Sequence, residues 1–395
     1  MRLTTVFYIV GSGLEAVAMN IPVIAIGRLL SGVGAGASLV IVPLYIAEVA
    51  PPRERGLFGV MTQITINVGL LLTQTLGYFF DKESQWRMVL ATGAGIALVQ
   101  GIGLFFIPET PAWIAANRDP QKALQLLQRI RGKGTDVDDE VQTWDVNIPG
   151  HAIESEGLLN QAEISSRRDS ATSKASSKSV VHIGFFEVAR DPLYRPAIIA
   201  VVGVMFAQQL CGINSVMMYS VSLLTPVFPT SSALLTIFIS VVNLLATILG
   251  APLADRLGRK TCLLLSISGM GISSLSLALS MLFEITILTA VAVLAFVACF
   301  AVGLGPIPFM LASELVGQEA KGATQSWALA ANWIFTFCVA QFFPIINLAL
   351  GGRGLVYFIF AGLALFSGLF VLWRVPETRG KKDVDEVWGR VRRID

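Results

Sequence analysis

Ten stretches of this chain are apolar for long enough to cross a lipid bilayer: about 3–21, 22–48, 57–80, 87–107, 195–223, 231–254, 261–283, 286–313, 323–347 and 354–374. A crossing helix needs about 20 such residues. Inside hydrocarbon every backbone N–H and C=O has to be paired within the protein, so runs of this length specify helices. Glycine and proline within them do not argue otherwise in a membrane. Composition agrees, because only 14% of the 395 residues are charged and 54% are apolar. A soluble domain carries about 25% charged residues. So little charge does not cover a water-exposed surface, and so much apolar content excludes disorder over most of the chain. The sequence predicts an all-α polytopic membrane protein. The first run has no convincing cleavage site and a second span follows at once, so it reads as a span rather than a signal peptide.

Several other classes fall away. The net charge of +2, from 29 basic and 27 acidic residues, offers no basic surface to a nucleic acid. Cys211, Cys262, Cys299 and Cys338 all lie inside apolar stretches and read as small buried hydrophobes. His151 and His182 lie in the polar middle of the chain, without the companions that a metal site needs. No nucleophile–base pair stands out. Neither an enzyme nor a cofactor is expected.

Orientation follows from Lys and Arg, which concentrate on the cytosolic side. Of the 29 basic residues, 25 lie at the start, in 49–56, in 108–195, in 255–260, at Lys321 or in the tail from Arg374. The other four are Arg28, Lys82, Arg87 and Arg353. Both termini and the central loop are therefore expected in the cytosol. Within that loop, Gln121–Arg131 has helix-forming sequence. The Ser-, Ala- and Lys-rich stretch around 150–180 reads as a disordered, phosphorylatable linker. Order is expected again over 183–195, where Phe185 and Phe186 lead into the next span.

The chain also repeats itself. Glu48–Gly56 reads EVAPPRERG and Glu314–Gly322 reads ELVGQEAKG, 266 residues on. Pro108-Glu109-Thr110 returns as Pro376-Glu377-Thr378 at an offset of 268. In each copy the tripeptide comes two spans after the Glu-to-Gly loop. Two homologous helical halves are how many secondary transporters are built. The second copy has six spans and the first has four, and the counterpart of the charged loop Asp255–Lys260 would fall upstream of Met1. The expected organisation is an incomplete first half at 1–107, a cytosolic loop with intracellular helices at 108–194, a six-span half at 195–374 and a cytosolic tail at 375–395. Ten spans stand where twelve are expected. A chain short of two cavity-lining helices is expected to insert in the membrane but to transport poorly.

Uncharged amides recur within the spans: Gln63 and Asn67, then Gln208, Gln209 and Asn214, then Asn243 and Asn332. Each is costly in a membrane unless it is paired. Such groups either staple helices together or meet a solute. They supply donor and acceptor at once, which suits a neutral polyhydroxylated solute. A charged solute would want an ionisable residue at mid-membrane, and none stands out there. Gly212, Gly303, Gly305, Pro306 and Pro308 are placed to break their helices near the same depth, as transporter sites require. The glycine ladder Gly32/Gly34/Gly36 lies in an apolar run and follows no strand, so it is expected to pack helices closely rather than to hold a nucleotide.

Taken in order, the motifs resemble those of the sugar porters of the major facilitator superfamily. They are Gly27-Arg28 with the glycine ladder, PLYIAEVAPPRERG at Pro43–Gly56, PETPAWI at Pro108–Ile114 and QQLCGINSVMMYS at Gln208–Ser220. DRLGRK at Asp255–Lys260, GLGPIPF at Gly303–Phe309, Ser313-Glu314, Asn332-Trp333 and PETRG at Pro376–Gly380 complete the set. The resemblance covers nearly the whole chain except about 135–182, and among sugar porters the chain looks like the fungal members similar to vacuole-associated transporters. It implies a major facilitator fold with two pseudo-symmetric halves. The implied activity is alternating-access transport of a monosaccharide, as a uniporter or with protons, in the plasma or vacuolar membrane. It implies substrate contacts from Gln63, Gln208, Gln209, Asn214, Asn243 and Asn332, with Phe309 and Trp333 offering flat faces to a sugar ring. Asn67 has no motif behind it and is expected only to staple helices. It further implies that Glu48, Arg55, Glu109, Arg256, Arg259, Glu314 and Glu377 form a breakable cytosolic charge network that clamps the halves.

The sequence departs from the family pattern at Phe309 (commonly Trp), Met218 (Tyr), Ala301 (often Glu) and Ala112 (Arg). A non-transporting sugar sensor is the main rival, disfavoured by a tail of only 21 residues after Arg374. A carrier of another solute, such as inositol, is the second.

Overall fold

The computed structural model describes residues 1–51, 54–80, 85–117, 119–132, 137, 140–141, 183–217, 232–352, 354–381 and 384–389. The Ser-rich stretch and Met218 lie outside these residues. Those described form α-helices joined by turns, with no strand among them. In chain order the helices are α1 (Arg2–Val17), α2 (Ile21–Val49), α3 (Arg55–Phe79), α4 (Trp86–Gly103), α5 (Pro111–Asn117), α6 (Pro120–Arg131) and α7 (Phe185–Arg190). Then come α8 (Arg195–Leu210), α9 (Ser232–Leu257), α10 (Arg259–Leu282), α11 (Thr286–Val302), α12 (Ile307–Glu314), α13 (Lys321–Ala349), α14 (Val356–Arg374) and α15 (Val384–Trp388).

Eight helical segments among the described residues are long and apolar enough to cross a membrane, with α11 and α12 forming one of them. The expectation was ten. The two further runs are helical but fall outside this set. α1 has only 16 residues, and α4 takes in Arg87, Gln100 and four glycines. Long apolar side chains stand exposed on the outer faces, such as Leu29, Leu249, Leu348 and Trp373. Bilayer hydrocarbon is the medium that accepts such faces. The chain is an integral, multi-pass membrane protein.

Two compact units are present. One comprises Met1–Ala47, Pro52–Phe106 and Ile183–Asp395, and the other Glu48–Pro51 with Ile107–His182. The first has its core among α8, α10, α11, α12 and α14, where Met205, Leu263, Met270, Phe296 and Leu311 are fully enclosed. Within it α9 packs along both α3 and α11, while α1 packs on α4. α7 docks on α13, with Phe185 stacked on Trp327 at 4.5 Å and its carbonyl accepting from the Trp327 indole at 2.8 Å. In the second unit Asp119 caps α6 by accepting from the Gln121 N–H at 3.0 Å. Arg131 at its end grips Glu140 at 2.9 Å and the Val49 carbonyl at 2.8 Å.

Glycine brings α1 and α2 together, though not mainly through the expected ladder. A Cβ on Gly34 would sit 2.8 Å from the Thr4 carbonyl, and one on Gly27 would sit 2.9 Å from the Gly11 carbonyl. Gly32 and Gly36 face open space. The contact spacing is seven residues, two helical turns, which is why only one rung of the ladder touches α1.

Helix breaks occur where the Gly and Pro residues place them. Pro306 and Pro308 lack the N–H that would continue α11 into α12. The chain turns instead, with the Gly303 and Gly305 N–H groups both donating to the Phe300 carbonyl, at 3.3 and 2.9 Å. Gly303 permits a very close approach, since a Cβ there would lie 2.4 Å from the Cys262 carbonyl oxygen. α8 ends likewise at Gly212, whose φ of 97° suits glycine.

Candidate functional site

The α11–α12 break leaves main-chain carbonyls without helical partners, and amides converge on them. Gln208 of α8 donates to the Leu304 carbonyl at 2.6 Å and to that of Gly305 at 3.3 Å. Its own carbonyl oxygen accepts from Asn332 of α13 at 2.5 Å and from Gln209 at 3.3 Å. Asn214, just past the Gly212 turn, donates to Gln209 Oε1 at 2.5 Å. On the opposite side of the break, Ser266 of α10 accepts from the Leu304 N–H at 3.0 Å and donates to the Cys299 carbonyl at 2.7 Å. Gln208, Gln209 and Asn332 are all buried.

A second amide set joins α3 to α9. Gln63 donates to Asn67 Oδ1 at 3.0 Å. Asn67 donates to Thr247 Oγ1 at 2.8 Å, and Asn243 reaches Asn67 Oδ1 at 3.4 Å. Gln74 and Ser240 pair further along the same two helices. The two sets meet at the break, because a Cβ on Gly305 would lie 3.6 Å from Gln63 Cγ. Of the candidates, Gln208, Gln209, Asn214 and Asn332 thus form one hydrogen-bonded chain at the helix break, Gln63 lies beside it, and Asn243 is linked to Gln63 through Asn67.

The aromatic candidates are placed differently. Phe309 is buried in the apolar core. Trp333 follows Asn332 by about 100° around the helix and is 53% exposed, so the structure does not bring it into the amide set.

Of the charge network, three candidates come together. Arg259 Nη2 lies 3.1 Å from Glu314 and Nη1 lies 3.0 Å from Asp255. Glu377 accepts from the N–H groups of Arg259 at 2.9 Å and Lys260 at 3.1 Å, at the start of α10. A carboxylate there meets both unpaired amides and the positive end of the helix dipole. Thr378 completes the cluster by donating to Glu314 at 2.5 Å. Asp255 and Thr378 were not singled out in the sequence, although DRLGRK and PETRG contain them. Arg256 is exposed, with no partner among the described residues. Glu48 and Glu109 belong to the second unit. The Arg55 side chain lies outside what the structure describes. The gathered charges all come from the part of the chain after residue 195.

The profile of the family described as "Sugar (and other) transporter" matches residues 1–388. The chain belongs to the sugar transporter family. This sugar transporter is 32% identical over 364 residues to the probable metabolite transport protein YBR241C of Saccharomyces cerevisiae, covering 92% of this chain and 70% of that one. It is 31% identical over 378 residues to facilitated glucose transporter member 3 of solute carrier family 2 from Rattus norvegicus, covering 93% of this chain and 71% of the relative. Among solved structures it is similar to XylE, a major facilitator superfamily proton:xylose symporter, bound to 6-bromo-6-deoxy-D-glucose. There the TM-score is 0.77 with 24% identity, over 98% of this chain and 82% of that one. The transporter therefore has the major facilitator fold, and its family moves solutes across membranes rather than transforming them.

Proposed function

We propose that this transporter carries a neutral monosaccharide by alternating access, as a uniporter or together with a proton. One observation supports this above the others: among the described residues, the side chains that bond to the α11–α12 break and to one another there are uncharged amides and a serine. Uncharged donor–acceptor pairs match sugar hydroxyls and leave an organic ion without a counter-charge. The named relatives, a facilitated glucose transporter and a proton:xylose symporter, carry solutes of this class. In this reading the termini and the 108–194 loop face the cytosol, and Arg259, Glu314 and Glu377 belong to a gate at that face. Arg259 is buried and its partners Glu314 and Asp255 lie in the same half, so these pairs are the rigid edge of that gate rather than its breaking contact.

The test is uptake of radiolabelled D-glucose, D-xylose and myo-inositol in a host without its own carriers. Saturable uptake of a hexose or pentose, weakened about 5- to 150-fold in affinity by Asn214→Ala, is expected from the loss of hydrogen bonds. Alkalinisation of the medium on sugar addition separates symport from uniport. Sugar binding without uptake would favour the sensor, and selective uptake of myo-inositol would move the reading to that solute.

A further inference from the structure

Asn67 belongs to no motif of the family resemblance, yet it is the hub of the α3–α9 contact. It is 2% exposed. Its Oδ1 accepts from Gln63 at 3.0 Å and from Asn243 at 3.4 Å, which uses both lone pairs. Its Nδ2 donates to Thr247 at 2.8 Å, and the Thr247 hydroxyl donates on to the Asn243 main-chain carbonyl at 2.8 Å. Thr247 has no exposed surface. The hub is therefore firmly seated on α9, while two residues of the amide set are turned onto it.

The two are held unequally. At 3.4 Å the Asn243 donation is near the outer limit of a hydrogen bond. Among the described residues, Asn243 Oδ1 is buried and has no partner. One hydroxyl placed at this amide would accept from its N–H and donate to its orphaned oxygen, a better match than the hub gives it. Gln63 is the residue whose stem lies beside Gly305, where the Gln208 set is anchored. Exchange of Gln63 to a solute would free a bond within α3, and exchange of Asn243 would remove a hub bond across the seam between α3, before the central loop, and α9, after it.

We infer that Asn67 is a positioning residue which occupies Gln63 and Asn243 in the empty carrier, so that the sugar competes with it for them and loosens the α3–α9 seam on binding. The inference rests on the sugar-carrier reading. It also sets Asn67 apart from a plain staple, whose removal would lower stability and leave affinity alone.

The experiment uses the full-length protein in lipid nanodiscs with radiolabelled D-glucose as the probe. Asn67→Val removes the hub. Asn67→Thr is the second variant, because a helical Thr hydroxyl bonds its own i−4 carbonyl and no longer holds the two amides. Both are expected to tighten D-glucose binding about 3- to 10-fold, since the sugar no longer displaces an internal hydrogen bond. Paired spin labels on genetically encoded reactive side chains at Tyr78 and Leu234, both partly exposed near the ends of α3 and α9, report the seam. In the sugar-free variants the distance distribution should broaden toward that of the unsubstituted protein saturated with D-glucose. Unchanged or weaker binding in both variants, beside normal binding by the unsubstituted protein, overturns the inference and leaves Asn67 as a staple. An unsubstituted protein that binds none of D-glucose, D-xylose and myo-inositol overturns the carrier reading and the competition with it. The unsubstituted protein alone tells these two failures apart.

Discussion

Gln208 uses its full hydrogen-bonding capacity inside the protein, donating to the Leu304 and Gly305 carbonyls and accepting from Asn332 and Gln209. Asn214 is only partly buried and donates to one neighbour. The two amides should therefore respond differently to truncation. Gln208→Ala orphans two carbonyls of the helix break and is expected to cost about 1–3 kcal/mol of stability as well as sugar affinity. Asn214→Ala should lower affinity with little change in the thermal unfolding midpoint. Thermal unfolding and D-glucose binding on the same purified samples check the split. A further residue-scale feature escaped the sequence reading, which saw no charge of note within the spans. Glu15 is 3% exposed, accepts from Ser31 at 2.7 Å and lies 3.4 Å from Arg28. Arg28→Leu would leave this carboxylate without its cation. The expected cost is at the low end of the roughly 3–5 kcal/mol for broken buried pairs, because Arg28 is itself 67% exposed. Adding Glu15→Gln should restore folded yield, read as the monodisperse fraction on size-exclusion chromatography.

Among the elements, eight of the ten expected spans were legible because a bilayer demands long uninterrupted apolar runs, and the α11–α12 break because proline and glycine mark it. Pairings were legible only in part. Sequence order places Glu314 and Glu377 at helix ends but does not say which helix start each will face. In the structure Glu377 turns back onto the first turn of α10, while Glu314 faces Arg259 and Thr378. Trp333 shows the same limit. A motif fixes the neighbour in sequence, but a 100° step around α13 buries Asn332 and exposes Trp333. The role of Glu377 as a cap can be weighed directly. Glu377→Ala removes the acceptor from the Arg259 and Lys260 N–H groups and should cost about 1–2 kcal/mol, as for the loss of a good cap aided by the helix dipole. Glu377→Gln keeps the acceptor without the charge and should lose less than half of that. Thermal unfolding of the two variants at low and high salt separates the contributions, since only the dipole part is screened.

At the scale of the whole molecule, the internal repeat and the charge bias make one claim between them. If 1–107 and 195–374 descend from one repeated unit, the Glu-to-Gly loop and the PET tripeptide of each copy must all face the same side of the membrane. The lysines and arginines name that side, because 25 of the 29 fall in segments that this arrangement puts together. Charge in short loops decides insertion, as each basic residue near a span resists translocation. The tail and the 108–194 loop should therefore be cut by protease in inside-out vesicles and protected in sealed right-side-out vesicles. An epitope at either terminus should follow the same pattern. The expected result is one protected state for all three segments, with cleavage near 133–182 only when the cytosolic face is outside. Cleavage of the loop and protection of the tail in the same vesicles would mean an odd number of crossings between them, and the repeat would no longer account for the topology. Moving charge gives the converse test. Replacing Arg256, Arg259 and Lys260 together by Gln weakens the anchor between α9 and α10, and with Lys and Arg added at 284–285 that hairpin should invert in part of the population. A cysteine at exposed Leu257 would then react with an impermeant maleimide from the opposite side.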